Sequence, residues 1–578
     1  MTAGRAAAGA EALARWAAIT CRTSAASLIR QVRSRGLFAD PYVVGAAALF
    51  SILVILVLTT FGDYAISNDE EVQQRYGELI VAYYGSSFAD QGLFHFRNLY
   101  LYGGLFDVVA VGLEKILPLD IYAVRHVLSA LTGVGGIVAV WATARAIAVS
   151  RAGLLAALAL ALCGIWYGAM FNHTKDIPFA SAMMGATYCL LLIGRELPRP
   201  RLRLVLAFGV LCGCALGIRV LGLFLFGYAG LVVISCALIG EGKSWRGVLV
   251  FMGRSALTLA PSFLVAYVIM IAAWPWAGLA PLNPLRAMFE FDDFNYPIRT
   301  LLSGHVYTMA DVPRWYEPTY VLIKLTLPLL LGACLALVLA KRPQRGGAGP
   351  NKFWRSEVAL VAFAALFPLV GDVAVRGPAF SGMRHVLFTV PPIAVLAGLG
   401  LDSAIGRLES VGRFAVAAGL ALLVVGFGWD ASSLYRLHPD EYLFFNPLVG
   451  GLAGASRRYD TDYWVNIMPE AVGDLEHYLD QTDRAPGKPH RRYLVVVCGE
   501  RLSFEKVADS RLIWTADQKS ADFFIAPTQT NCDRALDGRV VATVERLGVP
   551  IGVVKELHPK VQPSLANSLP AVPPNPIR

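Results

Sequence analysis

Three consecutive carboxylates, Asp69-Glu70-Glu71, follow closely on the first long apolar run of the chain, residues 42–61. That run carries no charge and is about as long as the hydrocarbon core of a bilayer requires, so the carboxylates stand where a membrane helix would emerge into water. A carboxylate there is suited to act as general base for an acceptor hydroxyl that attacks a phosphate-activated sugar carbon. Adjacent carboxylates cannot all point into one site, so one neighbour is expected to hold the loop. The alternative is a solvated loop with ordinary charges.

A second charged group, His173-Thr174-Lys175-Asp176, lies in a very short turn between two apolar runs. Charges so close to hydrocarbon are costly unless they are paired, hydrated or functional. Asp176 directly abuts the following run, which favours a functional role for it. The alternative is that Lys175 simply extends its charge to the membrane interface.

Cationic side chains at the starts of later runs form a third set, Arg125, His126, Arg376, Arg384 and His385. Arginine forks suit the phosphate of a polyprenyl carrier, although ordinary lipid headgroups would bind them too. On the predicted outer side these cations run against the positive-inside tendency, which favours a phosphate ligand. The predicted phosphate-binding residues are Arg125, His173, Lys175, Arg384 and His385.

The composition is that of a polytopic membrane protein. Of the 578 residues 56% are hydrophobic and 16% are charged, with a mean hydropathy of +0.53; a soluble protein would carry roughly a quarter charged residues. The net charge of +9 does not indicate a nucleic-acid partner, because basic residues also set membrane topology. The sequence has no Walker, Rossmann or HExxH motif, no heptads and no repeat, which disfavours an ATPase or a zinc protease.

Eleven apolar runs are predicted to span the membrane as α-helices: 42–61, 122–144, 153–171, 178–194, 204–218, 220–240, 256–273, 319–340, 358–371, 386–401 and 414–429. A further segment, 98–117, carries Asp107, Glu114 and Lys115. If this segment does not cross, the basic clusters between the runs fall inside, as the positive-inside rule requires. We therefore interpret it as an amphipathic helix on the outer face, with Asp107 and Glu114 on its wet side.

This topology divides the chain into four regions. They are a basic cytoplasmic N-terminus, 1–41; a transmembrane domain, 42–430, with outer loops 62–121 and 274–318; a small extracytoplasmic α/β domain, 431–558; and a Pro-rich tail, 559–578, expected to be disordered. In the α/β domain 469–479 is predicted as a helix, and 493–498, 523–526 and 540–544 as strands. Cys498 and Cys532 would pair there in an oxidising compartment.

Several short motifs occur in an order that resembles the GT-C membrane glycosyltransferases. They are Asn68-Asp69-Glu70; His173-Thr174-Lys175-Asp176-Ile177-Pro178-Phe179; Gly304-His305-Val306-Tyr307 leading to Pro313-Arg314-Trp315-Tyr316; Met383-Arg384-His385-Val386-Leu387-Phe388 before Pro391-Pro392; and the stretch 438–446 leading to Asp462-Tyr463-Trp464. The resemblance covers residues 42–464 and is greatest to bacterial relatives of the dolichyl-phosphate-mannose protein O-mannosyltransferases, glycosyltransferase family 39.

The resemblance implies an inverting transferase that moves a hexosyl or pentosyl group from a polyprenyl-phosphate carrier to a hydroxyl of an acceptor protein, lipid or glycan, at the outer face of the bacterial cytoplasmic membrane. It implies Asp69 as catalytic base, Glu70 as its neighbour and Arg125 as a ligand of the carrier phosphate. Asp176 matches an acidic metal ligand of the related oligosaccharyltransferases, so Asp69 and Asp176 would hold Mg or Mn if a metal were bound. The predicted catalytic residues are Asp69, Glu70 and Asp176.

The resemblance also leaves metal use and function class with alternatives. Lys175 replaces an expected acidic residue, and since a lysine can neutralise phosphate without metal, it favours metal independence. A transporter or flippase for a lipid-linked or small solute would use the outer carboxylates as coupling sites, but the sequence shows neither the repeats nor the broken helices typical of transporters. A non-catalytic assembly scaffold is the third class.

Overall fold

The structure of the protein is a computed structural model that describes residues 40–241, 244–292, 298–339, 352–375, 377, 379–482 and 492–557. The predicted N-terminal region up to residue 39 and the predicted tail 559–578 lie outside the described residues, as does Arg376. The helices are α1 Pro41–Thr60, α2 Glu70–Gly85, α3 Leu105–Glu114, α4 Ile121–Ile147, α5 Ser150–Ala161, α6 Gly164–Asn172, α7 Asp176–Glu196, α8 Leu202–Leu216, α9 Phe224–Glu241, α10 Trp245–Ala273, α11 Pro275–Leu279, α12 Asn283–Asp292, α13 Tyr316–Lys324, α14 Leu327–Leu339, α15 Trp354–Val375, α16 Val390–Val411, α17 Arg413–Leu437, α18 Gly451–Ala455, α19 Met468–Thr482 and α20 Arg501–Glu505. The strands are β1 Arg299–Leu302, β2 His305–Thr308, β3 Tyr493–Val497, β4 Leu512–Trp514, β5 Phe523–Pro527, β6 Arg539–Arg546 and β7 Val549–Glu556.

Each of the eleven predicted apolar runs is largely helical, which confirms the helical membrane fold. Within the described ranges, 8 helices are long and apolar enough to cross a membrane, and up to 10 if two bent pairs each count as one span. The helix α8, over the run 204–218, has 15 residues and falls short of that length. The count of eleven crossings is therefore not confirmed.

The two bent spans are features that the sequence did not predict. Helices α5 and α6 meet at 63°, and α13 and α14 meet at 111°. Both breaks pack against the segment that follows α17: a Cβ on Gly168 would lie 2.3 Å from the backbone nitrogen of Tyr442, and Asn446 donates to the carbonyls of Leu322 and Leu325 at 2.6 and 2.9 Å. An apolar environment leaves no water for freed carbonyls. At the α13–α14 break Asn446 supplies hydrogen bonds to them, whereas at the α5–α6 break the inserted segment makes a close backbone contact.

The segment 98–117 does not cross the bundle, in agreement with the prediction. Its helix α3 has 10 residues, and the residues that begin it are hydrogen-bonded to the ends of two helices, α10 and α8: Gly104 N donates to Ala273 O and Leu105 N to Gly217 O, each at 2.9 Å. The prediction that Asp107 lies on a wet side is wrong. Its side chain is 1% exposed, because it turns inward to pair with a cation of α4.

The C-terminal part forms the predicted α/β domain. Its sheet has the order β4-β3-β5-β7-β6; β3 is parallel to β4 and β5, whereas β7 is antiparallel to β5 and β6. Helix α19 packs on this sheet through Ala471, Val472 and Leu475, and Cys498 is disulfide-bonded to Cys532. The predicted boundary at 430 is wrong, since α17 continues to Leu437 and residues 438–467 pack into the membrane domain.

Candidate active site

The predicted catalytic acids Asp69 and Asp176 are joined by one arginine. Arg384 Nη2 donates to Asp69 Oδ2 at 2.6 Å, and Arg384 Nε lies 3.3 Å from Asp176 Oδ2. Asp69 precedes α2, Asp176 is the first residue of α7, and Arg384 opens the short 3₁₀ helix Arg384–Thr389 before α16. Three loops distant in sequence therefore meet at one end of the bundle, as the topology predicts.

Arg219 extends the series of paired charges that runs from Asp69 through Arg384 to Asp176, here called the charge chain. Sequence reasoning did not select Arg219 as a site residue. Its guanidinium donates to Asp176 Oδ1. It stands between α8 and the 3₁₀ helix Val220–Leu223, where a lone cation interrupts two apolar runs. That interruption was the available signal. Asp176 is thus held by two arginines and is 2% exposed, whereas Asp69 is held by one.

Of the two acids in the charge chain, Asp69 is the accessible one, with 35% of its side chain exposed. Burial within the fold opposes its charge, but the Arg384 guanidinium and the Lys175 ammonium outweigh this and hold the pKa of Asp69 below its usual range. The carboxylate is therefore ionised at neutral pH. Its hydrogen bond to Arg384 uses Oδ2; among the described residues no hydrogen-bond donor meets Oδ1.

Glu70 is the neighbour that holds the loop. Its Oε2 accepts the backbone N–H of Ser67 at 2.7 Å, and its Oε1 lies 3.2 Å from His126 Nε2. The side chain is fully buried, so a catalytic contact of Glu70 stays a prediction and its observed contacts are structural. Glu71 is exposed.

Lys175 is a buried cation without a carboxylate partner. Its side chain is buried, its Nζ lies 4.4 Å from the centre of the Tyr102 ring, and it forms no ion pair with a carboxylate of the described residues. Burial lowers the pKa of Lys175, although Asp107 and Asp69 partly offset this effect. An ammonium that is buried and unpaired is suited to an anionic ligand.

His173 is occupied by protein contacts. The Trp464 indole N–H donates to His173 Nε2, so the ring proton belongs on Nδ1, which lies 3.4 Å from Asp176 Oδ2. Burial lowers the pKa of His173 and keeps it neutral. The same indole lies under Arg384, with the guanidinium carbon 4.5 Å from a Trp464 ring centre. His173 thus positions Asp176, and its predicted contact with phosphate stays a prediction.

Arg125 is also occupied. Its Nη2 donates to Asp107 Oδ1 at 2.6 Å and to Gln73 Oε1 at 3.2 Å, and its Nη1 donates to Gln74 Oε1 at 3.2 Å. The side chain is fully buried. These contacts tie α2, α3 and α4 together, and the sequence-predicted role of Arg125 as a phosphate ligand stays a prediction that they do not favour.

The C-terminal domain reaches the same end of the bundle. Ser503 donates to the carbonyl of Ile66 at 2.5 Å, and Lys506 Nζ pairs with Asp120 Oδ2 at 2.8 Å. These bonds hold the segment containing Glu500 beside the acidic loop. Burial, followed by the charges of Glu71 and Asp69, raises the pKa of Glu500 to about 7.

Metal binding at this site stays a prediction. Among the described residues no group of three or more His, Cys, Asp or Glu side chains is arranged to hold a metal ion. The predicted ligand pair, Asp69 and Asp176, already shares the guanidinium of Arg384, which supplies the positive charge that an ion would bring.

Comparisons with known proteins bear on the membrane domain. Residues 118–276 match the family model of the dolichyl-phosphate-mannose-protein mannosyltransferases, a range that contains Arg125, the His173–Asp176 turn and Arg219. No match was found among proteins of curated function.

Among solved structures, ArnT from Cupriavidus metallidurans, bound to undecaprenyl phosphate, is similar at a TM-score of 0.47 and 15% identity, over 88% of this chain and 97% of that one. The Archaeoglobus fulgidus oligosaccharyltransferase in its apo form is similar at a TM-score of 0.46 and 14% identity, over 82% of this chain and 65% of that one. The S. cerevisiae protein O-mannosyltransferase Pmt1-Pmt2 complex bound to the sugar donor is similar at a TM-score of 0.34 and 16% identity, over 47% of this chain and 40% of that one. The match to the family model of the dolichyl-phosphate-mannose-protein mannosyltransferases covers residues 118–276 of the 578, so the similarity holds for that part of the membrane domain.

Proposed function

We propose that the protein is an inverting glycosyltransferase that moves a hexosyl or pentosyl group from a polyprenyl-phosphate carrier to an acceptor hydroxyl on the outer face of the cytoplasmic membrane. The observation that carries this proposal is the ionised, accessible carboxylate of Asp69 beside a buried, unpaired Lys175. One group takes up a proton and the other receives an anion, and both are needed to transfer a sugar away from phosphate.

In the proposed reaction Asp69 Oδ1 accepts the proton of the acceptor hydroxyl. The acceptor oxygen forms a bond to the anomeric carbon while the bond from that carbon to the phosphate oxygen breaks, and the electron pair departs with the phosphate. The low pKa of Asp69 makes it a weak base, so proton transfer must accompany bond formation. A general base of this kind contributes roughly 10²- to 10⁴-fold to the rate.

The leaving phosphate is assigned to Lys175 and Arg384. A phosphate at Lys175 gives the ammonium an anionic partner, which no carboxylate of the described residues provides as an ion pair. The charge developing on the phosphate is stabilised in a water-poor site. Because Arg384 also bridges Asp69 and Asp176, the reaction needs no metal in this proposal.

The acceptor is assigned to the side covered by the C-terminal domain. Glu500 and the exposed Glu71 adjoin Asp69 on that side, where hydroxyl groups of a protein, lipid or glycan would find acceptors. We propose that this domain helps to select the acceptor, while the outer location follows from the positive-inside argument.

The test is transfer by the purified protein with polyprenyl-phosphate sugars, comparing wild type with Asp69→Asn. The amide keeps an oxygen for Arg384 but cannot take up the proton, so we expect kcat to fall by at least about 10²-fold. The control Glu545→Gln, which removes an exposed carboxylate of strand β6, should stay within twofold of wild type. Equal transfer by Asp69→Asn would remove Asp69 as the base.

A second measurement separates the function classes. If wild type releases sugar from none of the donors, the glycosyltransferase proposal fails. Uptake of labelled polyprenyl-phosphate sugar across proteoliposome membranes, without cleavage, would then establish a flippase.

A further inference from the structure

His385 and Glu317 form a buried pair next to the candidate active site that the proposed reaction does not use. His385 Nδ1 lies 3.6 Å from Glu317 Oε1. Glu317 is 1% exposed, and neither of its carboxylate oxygens meets a hydrogen-bond donor among the described residues. Burying a carboxyl group without a hydrogen-bond donor destabilises the fold, so a purely structural role does not account for Glu317.

The two ends of the imidazole have different surroundings. Nδ1 is buried and directed at Glu317, and it also lacks a hydrogen bond among the described residues. The side chain as a whole is 26% exposed, so its opposite edge, which carries Nε2, is the accessible one. The ring of Phe380 lies against His385, with the two ring centres 4.7 Å apart.

The pair belongs to the same end of the bundle as the charge chain. His385 directly follows Arg384 and is faced by the charges of Arg384, Arg219, Asp176 and Asp69. Glu317, the second residue of α13, is faced by the acids Asp372 and Asp176. Carboxylates therefore dominate the immediate surroundings of Glu317 among the described residues, which disfavours a phosphate there.

We propose that His385 binds a hydroxyl group of the transferred sugar ring and that Glu317 is its positioning residue; this rests on the proposed function. Glu317 faces Nδ1 from the buried side and sets the orientation of the ring, which leaves Nε2 as the ring atom that meets a sugar hydroxyl. The Phe380 ring beside it offers an apolar surface to the C–H face of the sugar. The subsite thus recognises the sugar ring of the donor, whereas Lys175 and Arg384 bind its phosphate.

Equilibrium binding to the purified protein tests this inference without requiring turnover. Two probes are compared, a polyprenyl-phosphate sugar and polyprenyl phosphate itself, on wild type, His385→Phe and Glu317→Gln. We expect both variants to bind the sugar-bearing probe about tenfold more weakly and polyprenyl phosphate within twofold of wild type. Single-deoxy sugars should identify the hydroxyl: wild type discriminates against one of them, and His385→Phe does not.

Each other outcome overturns the inference. Equal loss for both probes would make His385 a phosphate ligand, and unchanged binding of both would remove the subsite. Wild type that binds the two probes equally would show that the sugar contributes nothing here. Thermal unfolding serves as the folding control, since Glu317→Gln replaces a buried carboxyl group with an amide of nearly the same size and should leave the melting temperature close to that of wild type. Failure of the proposed function appears separately, as absent transfer by wild type.

Discussion

Replacing Lys175 with methionine should weaken the reaction while leaving the folded state at least as stable. Methionine retains much of the buried apolar stem but removes the ammonium. Among the described residues the Tyr102 ring, 4.4 Å from Nζ, is the close partner of that ammonium, which forms no ion pair with a carboxylate there. Its desolvation is therefore a cost to folding that an anionic substrate would relieve.

The magnitudes follow from this environment. Two unit charges about 4 Å apart at an effective dielectric constant of about 20 interact by about 4 kcal/mol, which corresponds to roughly 10³ in rate or affinity. Arg384 would share the phosphate, so we expect Lys175→Met to lose on the order of 10²-fold in kcat/KM. The stability effect has the opposite sign, because the variant no longer buries an unpaired charge.

The pH dependence of stability gives an independent signature. The pKa of Lys175 is lowered by burial from its usual 10.5, so between the two values the unfolded chain binds more protons than the folded one. Stability must then rise with pH across that window. The melting temperature of wild type should rise with pH across this window, and that of Lys175→Met should rise less, because the variant has no lysine to titrate at this position.

The assay combines transfer kinetics with melting curves in detergent, and Lys519→Met, an exposed lysine of the C-terminal domain, is the matched control. A Lys175→Met protein that melts well below wild type yet transfers sugar normally would refute the reasoning, because the lysine would then be satisfied by the fold. Loss of both properties would leave the assignment to phosphate unsupported as well.

Two further predictions concern the scaffold. The hydrogen bond to Glu441, opposed by burial and supported by Asp63, raises the pKa of His438 to about 9. The stability that His438 contributes is therefore complete below pH 6.5 and is lost as the pH rises through 9. Over that range the free energy of unfolding of wild type, measured from melting curves, should fall by on the order of 1 kcal/mol, and that of His438→Gln should not. A Cβ on Gly400 would lie 1.9 Å from the carbonyl oxygen of Gly332, so Gly400→Val should force α14 and α16 apart and abolish the folded monodisperse protein in size-exclusion chromatography, whereas Gly428→Val, where a Cβ meets nothing within 4 Å, should not.

The helices and the acids of the site were predictable from sequence because hydropathy and isolated charge are local signals. Asp69 and Asp176 stand out for the same reason, as polar residues at the edges of apolar runs. The pairing of Asp107 with Arg125 was not predictable, since amphipathic spacing places Asp107 on a wet face and only tertiary contact turns that face inward. The bends after α5 and α13 were hidden likewise: the apolar runs continue through them, and their cause is a segment more than a hundred residues away.

The arrangement of charges accounts for how one site could serve the whole proposed reaction. Among the described residues three cations of the site, Lys175, Arg384 and Arg219, lie near two acids, Asp69 and Asp176, an excess of one positive charge that a phosphodiester donor would balance. After transfer Asp69 carries the acceptor proton, while the released phosphate monoester carries a charge near −2 at neutral pH. The negative charge has then moved from Asp69 to the phosphate, and Arg384 contacts the first and is assigned to the second. The negative charge would therefore move between two groups that contact the same guanidinium, and no new charge would form in an apolar environment. Under that condition preorganised groups lower a barrier without having to reorganise.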